Sequence, residues 1–418
     1  MIGSKNSVYT ELKKEAPSLI LIKCVCHSVQ LAVNYACKHF FPDDLEFLIY
    51  ETHNWFSKSS IRQSLYKKIY ESINNEKAPL KIPRVCDTRW LSIEMAVTRI
   101  LDQWHELKTH FGIAAMSEKC KTAKILYESF CDKKNYLYLV FLKPILQDMQ
   151  KINLCFQSNS ANATMLLSDL ILAIRSLRQK IIPPDIDVDI INDDDFEKHV
   201  KSDLGLGYDF EKEVKSMNIE SVEEMEIREC CSGFVVELAK QLKQRLPDNF
   251  NILKQIDAFS VENILKIKKK QISPILEYFR TPNIDKIERL YNDITLVEWE
   301  NVDDTVKFWA EVLKYRDSGG NCRFQELASV ALQMQSLPWS NADVERVFSQ
   351  VNLIKTKIRN SMSVETLNAI LSIRYGLRRH NMCCFNYNVP PSCLSTIEDK
   401  KFYPIDDDDN IDDILNII

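Results

Sequence analysis

Thiols and an imidazole lie close together near the start of the sequence. Cys24, Cys26 and His27 share one short stretch, and side chains of this kind are zinc ligands. A structural zinc site needs four ligands, however, and no partnering C-x-x-C or H-x-H pair occurs elsewhere. We therefore expect no metal here, and predict that His27 is buried and hydrogen-bonded beside packed cysteines.

A second candidate for chemistry is the pair Arg89 and Trp90. An exposed tryptophan can stack on an unpaired base while an adjacent arginine contacts phosphate. Alternatively, Trp90 begins an apolar helical face that continues through Ile93 and Val97. Spacing alone favours the core position and leaves the DNA contact open.

The third candidate is Glu345, in the stretch S-N-A-D-V-E-R-V-F-S. Ser340 to Asp343 fits a capping box, and a helical stripe follows at Val344, Val347, Phe348 and Val351. Glu345 lies beside that stripe. A carboxylate held there is either solvated or able to bind a divalent cation.

A second apolar helix begins near Ser363. Its apolar positions include Leu367, Ile370 and Leu371, and a basic loop separates the two helices at Lys355, Lys357 and Arg359. Two helices with this many apolar positions are expected to pack against another domain or subunit. The basic loop is a candidate contact for DNA phosphates.

Composition indicates a mainly helical protein with a small β component. The 418 residues include only 8 glycines, and the net charge of −5 argues against strong autonomous DNA binding. Two short stretches, 18–24 and 81–85, are expected to be strands. We expect reduced thiols, no signal peptide and no membrane span.

Four regions are expected along the chain. Residues 1–90 carry the two N-terminal candidates, and 91–300 are mostly helical, with helices predicted at 222–245 and 259–279. An acidic stretch near 183–224 is interpreted as a surface excursion or linker. Residues 301–380 hold the two apolar helices, and 381–418 form an acidic tail.

The stretch L-P-W-S-N-A-D-V-E-R-V-F-S resembles the C-terminal dimerisation segment of hAT-family DNA transposases. Cys24 and His27 resemble that family's C-x-x-H motif, and Thr88-Arg89-Trp90 resembles its T-R-W motif, in the same order along the chain. The resemblance implies a ribonuclease-H-like core interrupted by a large helical insertion. It also implies a metal site of two aspartates and one glutamate, the glutamate being Glu345.

This sequence departs from the family pattern before Cys24. The family's two aspartates precede the C-x-x-H motif, whereas the first 23 residues here contain no aspartate. A two-metal site needs several carboxylates, so we expect an incomplete core, no strand cleavage and a vestigial Glu345. Mg²⁺ or Mn²⁺ is expected only with a complete triad.

The sequence thus predicts a transposase-derived, non-catalytic protein that dimerises through its C-terminal region. Its partner would be a second copy or a related transposase-derived protein, in the nucleus or otherwise the cytoplasm. Two alternatives remain open: a fragment of an active transposase whose N-terminal part is missing from the gene prediction, and a weak DNA-binding module.

Overall fold

The computed structural model describes residues 7–16, 19–85, 93–118, 120–158, 161–201, 203–247 and 250–395. Within these ranges the chain forms two compact units, Met1–Ala342 and Asp343–Ile418. No helix among the described residues is long and apolar enough to cross a membrane.

Helices build almost all of the first unit. In its first half they are α1 (Val8–Glu15), α2 (Val25–Phe40), α3 (Asp43–Ser57), α4 (Ser60–Ile73), α5 (Ile93–Asp102), α6 (Trp104–Ser117), α7 (Lys121–Cys131) and α8 (Lys133–Gln157). In its second half they are α9 (Leu166–Leu177), α10 (Tyr208–Met217), α11 (Ser221–Arg245), α12 (Phe250–Leu253), α13 (Val261–Ile264), α14 (Ser273–Tyr278), α15 (Ile284–Asp293), α16 (Thr305–Lys314) and α17 (Gln325–Gln335).

Apolar periodicity explains how these helices pack. In α2 the small residues Ala32, Val33 and Ala36 are fully buried, and this helix packs against α11, which contributes Phe234 and Leu238 to the core. Small side chains allow two helices to approach closely. The same logic pairs α5 with α8, α6 with α7 and α16 with α17.

The predicted β component is wrong. Helices make up 68% of the structure, and no strand or sheet occurs among the residues it describes. Residues 19–24 are neither helix nor strand. At the first of these residues Leu19 O accepts from the Lys13 ammonium at 2.6 Å, and directly after them Val25 N–H donates to Trp339 O at 3.0 Å.

The same finding overturns the ribonuclease-H-like core. Residues 81–85 are also non-helical, yet they pair with no other strand: Ile82 O accepts instead from the His53 ring at 3.0 Å. Pro83 cannot donate to a ladder. The strand prediction rested on two apolar runs, in which Ile82 and Val85 are buried and Ile22 is partly buried against a core that helices build.

Acidic residues follow α9, and this segment is part of the first unit rather than a linker. Ile190, Ile191 and Phe196 are buried in the core, while Asp189 accepts two hydrogen bonds from Arg175, the shorter being 2.5 Å. The alternation of aspartate and isoleucine therefore leaves the carboxylates at the surface and buries the apolar side chains in the core.

A continuous helix over 259–279 is also a wrong prediction. Helix α13 ends at Ile264 and α14 begins at Ser273. In the intervening loop the Lys269 ammonium donates to Ile264 O at 2.9 Å and to Tyr291 O. These bonds turn the chain towards α15 instead of continuing the helix.

The second unit is described from Asp343 to Ser395. Its helices are α18 (Ala342–Ile354), α19 (Val364–Arg379) and the short α20 (Pro391–Leu394). Ser363 caps α19 by accepting a hydrogen bond from Thr366 N–H at 3.2 Å.

Candidate functional site

Apolar side chains of the second unit are exposed to an unusual degree. In α18, Val344 is 55% and Phe348 61% exposed, while Val347 and Val351 are half-buried. In α19 no residue is buried, and Leu367, Ile370 and Leu371 are half-buried. Most helices in proteins depend on tertiary packing of an apolar face, and exposed apolar patches mark interaction sites.

Glu345 lies on the first turn of α18 with an exposed side chain. Its backbone carbonyl accepts a hydrogen bond from the Ser349 hydroxyl at 2.9 Å, and the adjacent Arg346 pairs with Asp343 at 2.6 Å. Among the residues that the structure describes, no group of three histidine, cysteine or carboxylate side chains could hold a metal ion. The described residues therefore do not fit the divalent-metal site that the resemblance implies.

The basic loop after α18 is fully accessible. Lys355, Lys357 and Arg359 are exposed, and Ile358 between them is 94% exposed. Arg359 N–H donates to Thr356 O at 3.0 Å, which forms a tight turn. The loop can therefore present three cations together to a polyanion. Arg89 and Trp90, the other DNA-contact candidates, lie outside the described residues.

The N-terminal cysteines contact the chain segment that leads into α18. Asn341 N–H donates to Cys24 Sγ at 3.4 Å, and Cys26 Sγ lies 3.4 Å from the Ser340 hydroxyl. One residue earlier, Trp339 is 3% exposed and its carbonyl accepts from Val25 N–H. We name the group Cys24, Cys26, Ser340 and Asn341 the thiol clasp.

Local chemistry explains why these groups pair. Cys24 is the N-cap residue of α2 but does not cap it with its side chain, so Val25 N–H needs an acceptor from outside the helix. The Trp339 carbonyl supplies that acceptor. Across the junction, the Ser340 hydroxyl accepts from Ala342 N–H at 3.0 Å, where α18 begins.

Proton positions in the clasp follow from its partners. Cys26 Sγ lies 3.6 Å from Asn153 O, and because a carbonyl only accepts, the Cys26 thiol is the donor there. The Ser340 hydroxyl then donates to Cys26. A hydrogen bond with the Cys24 side chain, together with burial, raises the pKa of the Cys26 thiol well above its ordinary value. Cys26 is thus a neutral thiol at physiological pH.

His27 lies outside this arrangement. Its side chain is exposed on the first turn of α2, so the prediction of a buried, hydrogen-bonded histidine is wrong. The core-facing positions of that turn are taken by Val25, Cys26 and Ser28, which leaves His27 on the outer face.

The spacing of residues in the sequence could not predict the contacts of the thiol clasp. Cys26 and Ser340 are 314 residues apart, and helical periodicity carries information over only a few turns. The nearest signal is Trp339, a large apolar residue between proline and serine outside any helical stripe. Such a residue suggests a buried anchor without showing its partner.

Two helices with exposed or half-buried apolar side chains, α18 and α19, thus lie in the second unit. Residues 291–377 match the hAT family C-terminal dimerisation region. This similarity is confined to the C-terminal part of the chain, and it supports a relation to hAT-family transposases and the presence of a dimerisation region. No curated protein sequence matches it.

Proposed function

We propose that this chain is a homodimer joined through the apolar residues of α18 and α19, and that it does not cleave DNA. The observation that carries the first part is the exposure of Val344 and Phe348 within the residues that match a dimerisation region. A second copy offers the same apolar helices, and a two-fold contact between identical surfaces is self-complementary.

Phe348 is the best single residue for testing the dimer. Buried aromatic side chains dominate interface energies, with losses of about 2 kcal/mol or more on truncation. Because Phe348 is 61% exposed in the single chain, a polar replacement should not unfold the unit. In a symmetric dimer the change occurs twice, which enlarges its effect.

Sedimentation equilibrium at micromolar concentration should show wild-type dimers. Phe348→Asp should weaken self-association by at least about 30-fold, the factor for about 2 kcal/mol. Ile61→Asp is the matched control, because Ile61 is 80% exposed on α4 in the first unit. A strictly monomeric wild type, or equal weakening by both changes, would contradict the proposal.

The absence of strand cleavage is proposed from the setting of Glu345. Its side chain is exposed on α18, and no group of metal ligands surrounds it among the described residues. Incubating the chain with plasmid and hairpin-ended DNA in Mg²⁺ or Mn²⁺ should give no nicking. Nicking that disappears in Glu345→Gln would overturn this part of the proposal.

A second candidate function is binding of single-stranded or hairpin-ended DNA by the second unit, in the nucleus. The charge distribution favours it: residues 343–395 contain seven lysines or arginines and three carboxylates, whereas the whole chain is negative. Local positive charge of this kind attracts phosphates even in an acidic protein.

Replacing Lys355, Lys357 and Arg359 together with glutamine tests this second function. Affinity for single-stranded DNA should fall, and the dependence of log K on log salt should become shallower by about two, since each phosphate contact contributes about 0.7. The same replacement at Lys266, Lys268 and Lys270, three basic side chains of another loop, is the control. Unchanged binding in the first variant, or no binding by wild type at low salt, would exclude the basic loop.

A further inference from the structure

The thiol clasp holds the last residues of the first unit. Three contacts fix this segment to the start of α2: Trp339 O with Val25 N–H, Ser340 with Cys26, and Asn341 N–H with Cys24. The unit boundary follows directly, between Ala342 and Asp343. Two of the three contacts are made by sulfur, which is the most readily oxidised atom type in the chain.

We propose that the thiol clasp is a modification site for hydroperoxides, at which Cys24 and Cys26 form a disulfide and release Ser340 and Asn341. This inference goes beyond the proposed dimer and does not depend on it. Both thiols contact the same two-residue segment, Ser340 and Asn341, and they lie two residues apart at the start of α2. Two thiols in contact form a nucleophile with its resolving partner already in place.

The spacing of the two cysteines permits the bond. Residues two apart are joined by two peptide units, so their Cα atoms are at most about 7 Å apart even in a fully extended chain. A disulfide joins Cα atoms about 4.4–6.8 Å apart. Because Cys26 lies in the first turn of α2, the backbone between the two is shorter than extended.

Cys24 is the residue that reacts with the peroxide. It is partly exposed, whereas Cys26 is buried, and it stands at the N-terminus of a 16-residue helix, where the helix dipole favours a thiolate. Cys26 donates its proton to Asn153 O, an arrangement that keeps it a neutral thiol until Cys24 has been oxidised.

Atoms and electrons balance with hydrogen peroxide as the oxidant. Cys24 first loses its proton to solvent; its thiolate then attacks one peroxide oxygen, so that an S–O bond forms, the O–O bond breaks and the leaving hydroxide takes up that proton from solvent to become water. Cys26 then attacks the Cys24 sulfenic sulfur: the S–S bond forms, the S–O bond breaks and the second hydroxide leaves with the Cys26 proton. Two thiols lose two electrons, and one peroxide becomes two waters.

The disulfide removes hydrogen bonds that the clasp needs. Cys26 no longer carries a proton for Asn153 O, and turning Cys24 Sγ towards Cys26 takes it away from Asn341 N–H. Only the backbone bond between Val25 and Trp339 is independent of sulfur. The segment before Ala342 therefore exchanges its amide protons faster in the oxidised chain.

Hydrogen exchange of the full chain, with and without hydrogen peroxide, measures this release. Peptide mapping without reductant should find Cys24 bonded to Cys26. Exchange in peptides covering 337–343 should rise by at least about five-fold, the factor for losing one net hydrogen bond. Addition of dithiothreitol should reverse both changes.

Two variants make the result specific. Cys24→Ser retains an acceptor for Asn341 N–H but cannot form the bond, so peroxide should leave its exchange unchanged. Cys131→Ser with Cys155→Ser removes two exposed thiols outside the clasp and should respond like wild type. The proposal is overturned if peroxide yields no Cys24–Cys26 disulfide, if the disulfide leaves exchange at 337–343 unchanged, or if Cys24→Ser still responds.

Discussion

His110 is fully buried in the first unit and surrounded by aromatic rings. Its Nε2 accepts a hydrogen bond from Trp55 Nε1 at 3.0 Å, and the rings of Phe56 and Tyr66 lie within 5.5 Å of it, centre to centre. An imidazole that accepts through Nε2 must be neutral or it loses that bond. Burial lowers the pKa of His110 to about 4.

This histidine should make the first unit sensitive to acid. Its folded pKa is about 4, below the ordinary value of 6.5, so the unfolded chain takes up a proton first as pH falls. The stabilisation is complete above pH 6.5 and is lost as pH falls towards 4, by about 3 kcal/mol in the free energy of unfolding. Urea unfolding at pH 7 and pH 4.5 measures the loss.

His110→Gln is the control for this titration, because glutamine keeps an acceptor for Trp55 and does not ionise. Wild type should lose more free energy of unfolding on acidification than the variant does, because only wild type carries His110. The carboxylates affect both proteins equally, so the difference between the two free energies should become smaller. A gap that is the same at both pH values would show that His110 does not titrate in this window.

At the scale of elements, the close contact of α2 and α11 depends on Gly233. A Cβ atom at this position would meet the ring of Phe40, which lies at the end of α2. Overpacking of a filled interface costs about 1–3 kcal/mol. We expect Gly233→Leu to lower the free energy of unfolding by that amount in chemical denaturation.

Gly376 provides the matched substitution. It also lies in a helix, α19, but a Cβ atom there meets nothing within 4 Å. Gly376→Leu should leave the unfolding of the first unit unchanged. If both leucine variants unfold at the same denaturant concentration as wild type, then Phe40 moves aside in the Gly233 variant. The close contact of α2 with α11 at this position would then not contribute to the free energy of unfolding.

Local periodicity predicted the helices well where one face is buried. The helical face predicted through Ile93 and Val97 belongs to α5, and both residues are in the core. The apolar run before Cys24 was wrongly predicted as a strand, because an apolar run in a strand and one that lies against helices have the same composition. Only the presence of a partner strand distinguishes the two cases, and the residues of the run itself do not show whether another part of the chain supplies one.

At the scale of the whole molecule, the buried core cluster extends along the sequence from Val25 to Trp339 and thus lies wholly in the first unit, Met1–Ala342. The residues matched to the dimerisation region extend beyond this boundary, to 377. Core and proposed association surface are therefore separable in sequence. The predicted C-terminal region began near 301 because it followed the family resemblance, whereas α16 and α17 pack together within the first unit.

Truncation after Ala342 tests this separation. The fragment retains every residue of the core cluster, so its thermal unfolding should stay cooperative, with a midpoint within about 4 °C of the full chain. It should sediment as a monomer, because α18 and α19 are gone. A fragment that fails to fold, or that still dimerises, would show that the folded core and the association surface are not separated at Ala342.

The bond between Val25 N–H and Trp339 O has a consequence for synthesis on the ribosome. Helix α2 emerges early, yet the carbonyl that completes its first turn is translated only after almost all of the first unit. Contacts this distant in sequence form late and slow folding. During translation Cys24 and Cys26 are therefore without Ser340 and Asn341, and in the nascent chain both thiols lack the partners that they have in the folded unit.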